Sequence, residues 1–407
     1  MRTPPVRRGA SLVVLLTIGG CGIGAATDDG VVIRDSAGVE IVESSAPRWR
    51  AGESWRVADT PSVTIGAVFG DDPATQFTRI VGATRLGDGR IVVADGGSAE
   101  LRFFDATGRH LQSVGGKGSG PGEFVRLTGL LRLAGDSLLA IQAMPPKQSL
   151  FSDTGAFVRL VETPAAPDAL LPHVASAILD DGTAVLAPGA RPVMRFTGTR
   201  RDSITIFTAA PGEDSARLLG TFPSMNISGN GRFIAPVAFA PVGVRAARGD
   251  RFYAGYAERF EITVHSKDGA LQRLIRREWT ATPVSQEARD AHIEMLSRGT
   301  PESFRQEFLK ALTFAEHFPA YDDLLVDATG RLWVRAAPTD GTELRMPEGL
   351  AAHAARWSIF DHDGGWLGDV RMPMGFDVLE VGTDYALGVW YDESEIPFVR
   401  LYPLIKE

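Results

Sequence analysis

Residues 79–116 read RIVGATRLGDGRIVVADGGSAELRFFDATGRHLQSVGG and contain four short runs of β-branched and aromatic residues. Glycine-containing segments separate the runs, such as Gly87-Asp88-Gly89 and the DATG segment at 105–108. A short polar side chain close before a glycine is typical of a tight hairpin turn, because the side chain caps the backbone and glycine accepts positive φ. The stretch therefore predicts a four-stranded antiparallel meander.

The same pattern returns along the chain. The turn FDATG at 104–108 has counterparts at 151–155, 265–269 and 360–364. A glycine follows the first predicted strand of each unit, at Gly89, Gly135, Gly182, Gly249, Gly330 and Gly382. One meander cannot bury both of its faces, whereas six meanders packed around an axis can. The sequence therefore predicts an all-β fold, a six-bladed β-propeller.

Closure of the ring is predicted by a repeated motif. The last unit, residues 375–404, contains only three strand-like runs. SVTIGA at 62–67 is followed after a loop by a phenylalanine and an arginine, just as SVGG at 113–116 is in the first unit. We therefore expect residues 62–67 to supply the missing outer strand, which leaves no free edge. Residues 31–58 hold two further strand-like runs, VEIVES and SWRVA, whose place the pattern does not fix.

Residues 283–316 interrupt the strand pattern between blades four and five. Each half begins with a Thr-Pro pair, which fits a helix N-cap followed by proline in the first turn. Phe304, Phe308 and Leu312 recur every four residues, as on one face of a helix. We expect two short helices, which either form a lid or partner-docking element or pack onto the propeller rim. A second insertion, at 337–355, lies inside blade five.

The N-terminal residues predict export and lipidation. Residues 1–20 combine a basic start with the uncharged run SLVVLLTIGG, which is too short to span a bilayer and is typical of a signal peptide. The run ends in Ile-Gly-Gly-Cys21, which resembles the lipobox of bacterial lipoproteins. We expect a lipid on Cys21 that binds the membrane, with the outer membrane preferred because glycine rather than aspartate follows. Residues 21–38 are predicted to be a tether, and residues 39–407 the propeller.

The chain also resembles a known family of propellers. GGKGSGPGEF at 115–124 resembles the turn between blades in NHL-repeat-type propellers, in particular the bacterial 6-bladed beta-propeller lipoproteins. GRIVVAD at 89–95, LRFFD at 101–105, GRLWV at 330–334 and the segment 389–404 fit the same resemblance. It implies a six-bladed ring over roughly residues 39–404 and no particular reaction.

Composition limits the function further. The chain has 42 basic and 50 acidic residues, a net charge of −8, which argues against a nucleic-acid partner because such surfaces are basic. Cys21 is the only cysteine, so no disulfide forms within the chain. The seven histidines are scattered without HExxH spacing, and we predict neither a metal nor another cofactor. The protein is expected to be a monomer.

The predicted topology alone indicates which residues could bind a ligand. Propellers bind at the end of the channel where the loops between blades meet, and this face is predicted to include Lys117, Glu123, His173, Tyr256, Tyr321, Asp322, Tyr391 and Asp392. The leading hypothesis is a non-catalytic envelope lipoprotein that binds a small ligand or an envelope protein through this face, an argument by analogy of fold. The alternative is a metal-dependent enzyme of the lactonase or lyase type that acts at the central channel.

Overall fold

The computed structural model describes residues 25–26, 30–50, 52–68, 72–167, 169, 171–189, 196–232, 234–299, 305, 309, 312–339 and 354–406. The predicted signal peptide and Cys21 lie outside these residues, as do Phe304, Phe308 and most of the second insertion.

Five strands precede the first blade: β1 (Ala25–Ala26), β2 (Val31–Ser36), β3 (Val39–Ser44), β4 (Trp55–Val57) and β5 (Val63–Ile65). Blade 1 comprises β6 (Ile80–Arg85), β7 (Ile91–Asp95), β8 (Glu100–Phe104) and β9 (His110–Gly115). Blade 2 comprises β10 (Gly129–Arg132), β11 (Leu138–Gln142), β12 (Lys147–Phe151) and β13 (Phe157–Leu160). Blade 3 comprises β14 (His173–Ile178), β15 (Ala184–Pro188), β16 (Thr197–Ala209), β17 (Arg217–Asn230) and β18 (Ile234–Pro236).

Blade 4 comprises β19 (Gly243–Arg248), β20 (Arg251–Tyr256), β21 (Glu261–Ser266) and β22 (Leu271–Arg277). The helix α1 (Gln286–Gly299) follows it in the chain. Blade 5 comprises β23 (Tyr321–Val326), β24 (Leu332–Ala336), β25 (Arg356–Phe360) and β26 (Trp366–Arg371). Blade 6 comprises β27 (Phe376–Val381), β28 (Tyr385–Tyr391) and β29 (Pro397–Lys406). Six antiparallel blades confirm the predicted propeller.

The hairpin turns form for the predicted local reason. Asp105 accepts hydrogen bonds on Oδ1 from the amides of Thr107 and Arg109, at 2.9 and 3.0 Å. The Thr107 hydroxyl, which also donates to this carboxylate, and the Arg109 amide hold the pKa of Asp105 well below its usual value. Gly108 completes the turn at φ 88°, a conformation that side chains with a Cβ rarely adopt.

The hydrophobic core is divided among the gaps between neighbouring blades. A buried cluster fills each of the six gaps, including the gap between blades 6 and 1. In order around the ring, representative pairs are Phe103 and Phe151, Ile141 and Phe207, Ile206 and Phe252, Ile262 and Val334, Trp357 and Phe376, and Leu387 and Phe104. Because each blade buries both faces against its neighbours, the ring is closed.

Strand β5 closes the ring as predicted for residues 62–67. It pairs antiparallel with β29, with Val63 opposite Leu401 and Ile65 opposite Val399. Strand β4 also pairs with β29, opposite residues 404–406. Blade 6 therefore combines the end of the domain with a segment from its beginning, and the SWRVA run finds its place beside the closing strand.

Blade 4 is wider than the repeat predicts. Strand β3 pairs in parallel with β22, the outer strand of the blade, and β2 and β1 continue the sheet to seven strands. Arg276 lies 3.0 Å from Glu43 and 2.6 Å from Glu261, which links the added strand to the blade through ion pairs. The sheet of this blade therefore includes residues that precede position 39. Ala37 and Gly38 form the turn of a β2–β3 hairpin, so residues 31–36 of the predicted tether belong to the sheet.

Candidate functional site

The ring has two ends that differ in their connections. The turn face carries the hairpin turns between the first and second strands of each blade, such as those at Gly135 and Gly182. The loop face carries the connections from one blade to the next, such as residues 116–128. The eight predicted binding residues are expected to lie on the loop face.

Three of the eight are buried, with their polar atoms bonded inside the fold. His173 is 7% exposed, and its Nδ1 lies 2.9 Å from the Leu171 carbonyl oxygen. The fully buried Tyr321 hydroxyl donates to the Glu261 carbonyl oxygen at 2.6 Å, and desolvation raises its pKa above the usual range. Asp322 forms a two-point ion pair with Arg335, at 2.6 and 3.1 Å. The structure therefore gives each of these three a role in holding the blades.

The ion pair of Asp322 extends between two blades. Arg335 also donates to Asp377 at 3.0 Å, so one guanidinium joins β24 of blade 5 to the start of β27 in blade 6. Burial alone would lower the pKa of Arg335, but the charges of Asp322, Asp323 and Asp377 raise it. Both partners of the pair are almost fully buried, and a buried pair is costly to break because it leaves an uncompensated charge.

Three of the predicted residues, Lys117, Glu123 and Asp392, lie in exposed or partly exposed loops, and Tyr391 is the last residue of β28. Glu123 accepts a hydrogen bond from the Gly120 amide at 2.9 Å, which fixes the glycine-rich turn, and the Lys117 side chain is exposed beside it. Asp392 caps its own turn by accepting from the amides of Ser394 and Ile396, both at 2.9 Å. Tyr391, the residue before it, is partly buried. Ligand binding by this set stays a prediction.

Tyr256 lies at the base of a long hairpin that sequence reasoning missed. Strands β16 and β17 pair from Thr208 and Arg217 out to Thr197 and Asn230, whereas β15 pairs only with residues 207–209. The hairpin therefore extends beyond the blade on the loop-face side. Tyr256 donates to Asn226 of this hairpin at 2.9 Å, and the Arg201 guanidinium lies 4.4 Å from its ring centroid.

The central channel forms a concave space that is open to solvent. A cavity of about 1550 Å³ is lined by residues from the first strands of all six blades and by the turns at Gly135 and Gly182. It also follows the crevice between blades 2 and 3 as far as residues 159–164 and 209–214. The channel is thus open towards the turn face. Charged side chains of both signs line it, including Arg132, Arg245, Asp323 and Glu380.

The wall formed by blades 6, 1 and 2 carries an ordered polar group. Glu380 accepts hydrogen bonds from the hydroxyls of Thr84 and Tyr385, one on each carboxylate oxygen. Burial, and then the Glu380 charge, raise the pKa of Tyr385, so the phenol stays protonated and acts as a donor. Arg132 lies nearby, held to the Arg85 carbonyl oxygen and 3.6 Å from Asp136. A carboxylate and a guanidinium with fixed positions can bind complementary polar groups of a ligand.

These channel residues were not predicted from the sequence, because the prediction was directed at the loop face of the ring. Arg132 and Glu380 stand inside the predicted inner strands 126–133 and 376–381, where a charge among apolar residues is itself a signal. At other positions, a β-bulge determines whether a side chain faces the channel, and the sequence pattern does not predict where the bulges form. Register shifts interrupt the inner strand pairing around Ser176 and Asp322 and re-aim these side chains. Ser176 is exposed to the channel as a result.

The described residues contain neither a cluster of metal ligands nor a membrane-spanning helix. Among them, no three histidine, cysteine, aspartate or glutamate side chains converge as metal ligands would. Within the same ranges, no helix has the length and apolar character needed to cross a bilayer.

The described part of the helical insertion packs onto the propeller. Residues 312–318 run beside the segment that precedes β19, with backbone hydrogen bonds of 2.7 and 2.9 Å between Ala238 and residues 313 and 315. Phe239, Val284 and Phe318 share a small buried cluster with Leu312 at its edge. Helix α1 lies within the predicted insertion. Of the second predicted helix the structure describes only residues 305 and 309, so the choice between a lid and packing onto the rim stays a prediction.

We expect the stability of the insertion to fall at acidic pH. His292 of α1 is 1% exposed and packs against Phe239 and Phe314, with ring centroids 4.9 and 5.8 Å away. Desolvation lowers its pKa from 6.5 to about 4. The unfolded segment therefore binds the proton first, and up to about 3 kcal/mol of stability is lost as pH falls from 6.5 towards 4. Hydrogen exchange of residues 286–299 measures this loss. A His292→Phe variant should lack it, and equal pH dependence in the variant would refute the assignment.

Comparison with known proteins confirms the fold. A family model described as a 6-bladed beta-propeller matches residues 77–144. A solved member of the DUF4221 family from Bacteroides vulgatus is 10% identical, with a TM-score of 0.54 over 87% of this chain and 99% of that one. A Bacteroides fragilis protein predicted to be exported is 12% identical, with a TM-score of 0.47 over 90% and 99%. A gluconolactonase from Xanthomonas campestris is 12% identical, with a TM-score of 0.41 over 86% and 100%. No curated protein sequence matches the chain.

Proposed function

We propose that this protein is an exported, non-catalytic binding protein that holds a ligand in the central channel of its propeller. The observation that carries the proposal is the channel cavity of about 1550 Å³, which is larger than the roughly 300–1,000 Å³ of most small-molecule sites. All six blades contribute to its wall, so a ligand there would contact a scaffold whose every part is held by its neighbours.

The lining indicates the chemistry of the ligand. Glu380 offers a carboxylate already oriented by two hydroxyl donors, and Arg132 offers a guanidinium that is about a quarter exposed. Leu131, Ala177 and Leu379 supply apolar surface between the polar groups. A ligand that fits has hydroxyl or amide donors towards Glu380, an acceptor or anionic group towards Arg132, and an apolar portion. This composition suits a small polar organic molecule better than a bare ion.

The cellular setting is part of the same proposal. The basic, short apolar start of the sequence and the Ile-Gly-Gly-Cys21 motif support export followed by lipid attachment at Cys21, with the outer membrane as the favoured location. The loop face would then remain available for an envelope protein or a second ligand, and Lys117, Tyr256 and Tyr391 are its proposed contacts.

A substitution that fills the channel tests the binding site. Ser176→Trp places a large side chain where the native one is exposed to the channel, and Ser113→Trp is its matched control on the exposed outer strand of blade 1. We expect affinity selection from a small-molecule extract of the native cells, read by mass spectrometry, to enrich a compound on the wild type. Enrichment should fall about tenfold or more in Ser176→Trp, because the ligand loses its space, and persist in Ser113→Trp.

Two results would contradict the proposal. Equal enrichment on both tryptophan variants would place the ligand outside the channel. Stoichiometric calcium or zinc in the purified protein would favour the alternative of a metal-dependent lactonase- or lyase-type enzyme over a non-catalytic binding protein.

A further inference from the structure

A second cavity, of about 390 Å³, lies between blades 4 and 5 at the loop-face end and shares no lining residue with the channel. Its walls come from the end of β22 with the residues after it, the residues before β23, and the ends of β24 and β25. Trp279, Phe318 and Pro319 give it apolar sides, and Arg277 and Arg356 bring two guanidinium groups. Its volume lies within the range of small-molecule sites.

Arg277 is a built component of this cavity. Its side chain is only 9% exposed, and its guanidinium carbon lies 4.6 and 4.3 Å from the ring centroids of Phe260 and Trp366. Nη1 donates to Ser358 Oγ at 2.8 Å and to Asp369 Oδ1 at 3.3 Å. Its buried Nε has no hydrogen-bond partner within the described part of the chain. A guanidinium held in a fixed position is a planar donor group of the kind that pairs with carboxylates.

The charges around the cavity favour an anion as well. Asp369 is shared between the two cations, since Arg356 Nε lies 3.6 Å from its second oxygen. The same carboxylate also accepts from the Ser358 hydroxyl at 2.8 Å and the Trp366 indole at 3.2 Å. Desolvation lowers the pKa of Arg277, which reflects incomplete compensation of its charge. Glu278 also lines the cavity and, like Arg356, is exposed. The lining therefore contains two guanidinium groups, and the inner Asp369 contacts both of them.

We propose that this cavity binds the carboxylate of a small organic acid, with Arg277 and Arg356 pairing with the carboxylate and Trp279 and Phe318 contacting its apolar body. The two guanidinium groups of the lining match a carboxylate, and the apolar walls match the rest of such a ligand. The site is independent of the channel, so a ligand in either cavity leaves the other open.

Calorimetry with a matched pair of probes tests this site: 3-phenylpropanoate, its neutral amide 3-phenylpropanamide, and inorganic phosphate as a third ligand. We expect saturable binding of the acid below about 10 mM, and about tenfold or more weaker binding of the amide, because the charged hydrogen bonds are lost. Arg356→Gln removes a half-exposed guanidinium without emptying the core, and it should weaken the acid about tenfold. Arg277→Gln should do the same if it folds. Arg109→Gln, at an exposed turn of blade 1, is the control and should bind as the wild type does.

Each result of the calorimetry either supports the proposed carboxylate site or overturns it. Binding of the acid that depends on Arg356 and on the carboxylate supports the site. No saturable binding of the acid at about 10 mM, equal binding of acid and amide, or an Arg356→Gln variant that binds like Arg109→Gln would overturn it. Phosphate binding as tight as that of the acid would overturn the assignment to an organic carboxylate.

Discussion

Replacing Ile65 with aspartate is expected to destabilise the protein by about 4 kcal/mol or more. Ile65 is 1% exposed in the closing strand β5 and belongs to the cluster between blades 6 and 1, with Phe104 and Val399. Its side chain also lies against the turn at Gly108, so it contacts both blades that the strand joins. The aspartate would lose this packing and place a carboxyl group among apolar side chains. The ring would then be weakened at its seam.

Thermal unfolding measures this effect, and the neighbouring residue provides the control. Thr64 lies on the same strand but is exposed, so Thr64→Asp adds the same charge with little loss of packing. We expect the Tm of Ile65→Asp to fall by about 5–10 °C or more and that of Thr64→Asp by only a degree or two. Similar shifts in the two variants would show that β5 does not hold the ring together.

The part of the fold that could be predicted from sequence is the part that local chemistry determines. Each blade can be recognised in the sequence by a glycine turn and by strands that are apolar on both faces, as in IVVAD at 91–95. The closing strand was found because residues 62–67 repeat the motif at 113–116. In both cases the signal is a short motif that recurs along the sequence, so it can be recognised without knowing which strands pair.

What could not be predicted depends on contacts between distant segments. The VEIVES run was recognised as a strand, but its parallel pairing with β22 joins residues 39–44 to 273–277, and no turn signal connects them. The long β16–β17 hairpin lies where the repeat is least regular, and its contacts are distant in sequence: β18 pairs with residues 227–229, and the Thr313 hydroxyl bonds to Ser228 at 3.0 Å. Such additions cover an edge or a face of a blade without changing the repeat itself.

The same distinction applies to the candidate site. Loop residues such as Glu123 and Asp392 were nominated because polar loop residues often bind ligands, yet their carboxylates cap the turns that carry them. Asp322 was placed correctly at the start of an inner strand, but its partner Arg335 could not be identified without the pairing of blade 5. The ordered channel group around Glu380 joins strands of blades 6 and 1, from opposite ends of the sequence.

Replacing Cys21 with serine is expected to release the protein from the membrane almost completely. Residue 21 is the only cysteine, so the proposed lipid can be attached to no other thiol of the chain. Each buried methylene of an acyl chain contributes about 0.8 kcal/mol, so several chains hold a protein stably where one chain holds it marginally. Serine has nearly the same size but lacks the nucleophilic thiol. The variant should therefore keep the propeller and lose the lipid.

Detergent-phase partitioning and metabolic labelling with a fatty-acid analogue measure this in a bacterial host. We expect wild-type protein to carry the label and enter the detergent phase, and Cys21→Ser to carry none and stay in the aqueous phase. Gly22→Ser is the matched control, because it makes an equally small change one residue away and retains the thiol. Unlabelled wild-type protein, or a Cys21→Ser variant that stays with the membrane, would contradict lipidation. The second result would place the membrane contact on the propeller itself. Because β1 begins at Ala25 and pairs with β2, only residues 22–24 would separate Cys21 from the sheet of blade 4, which would keep this blade close to the bilayer.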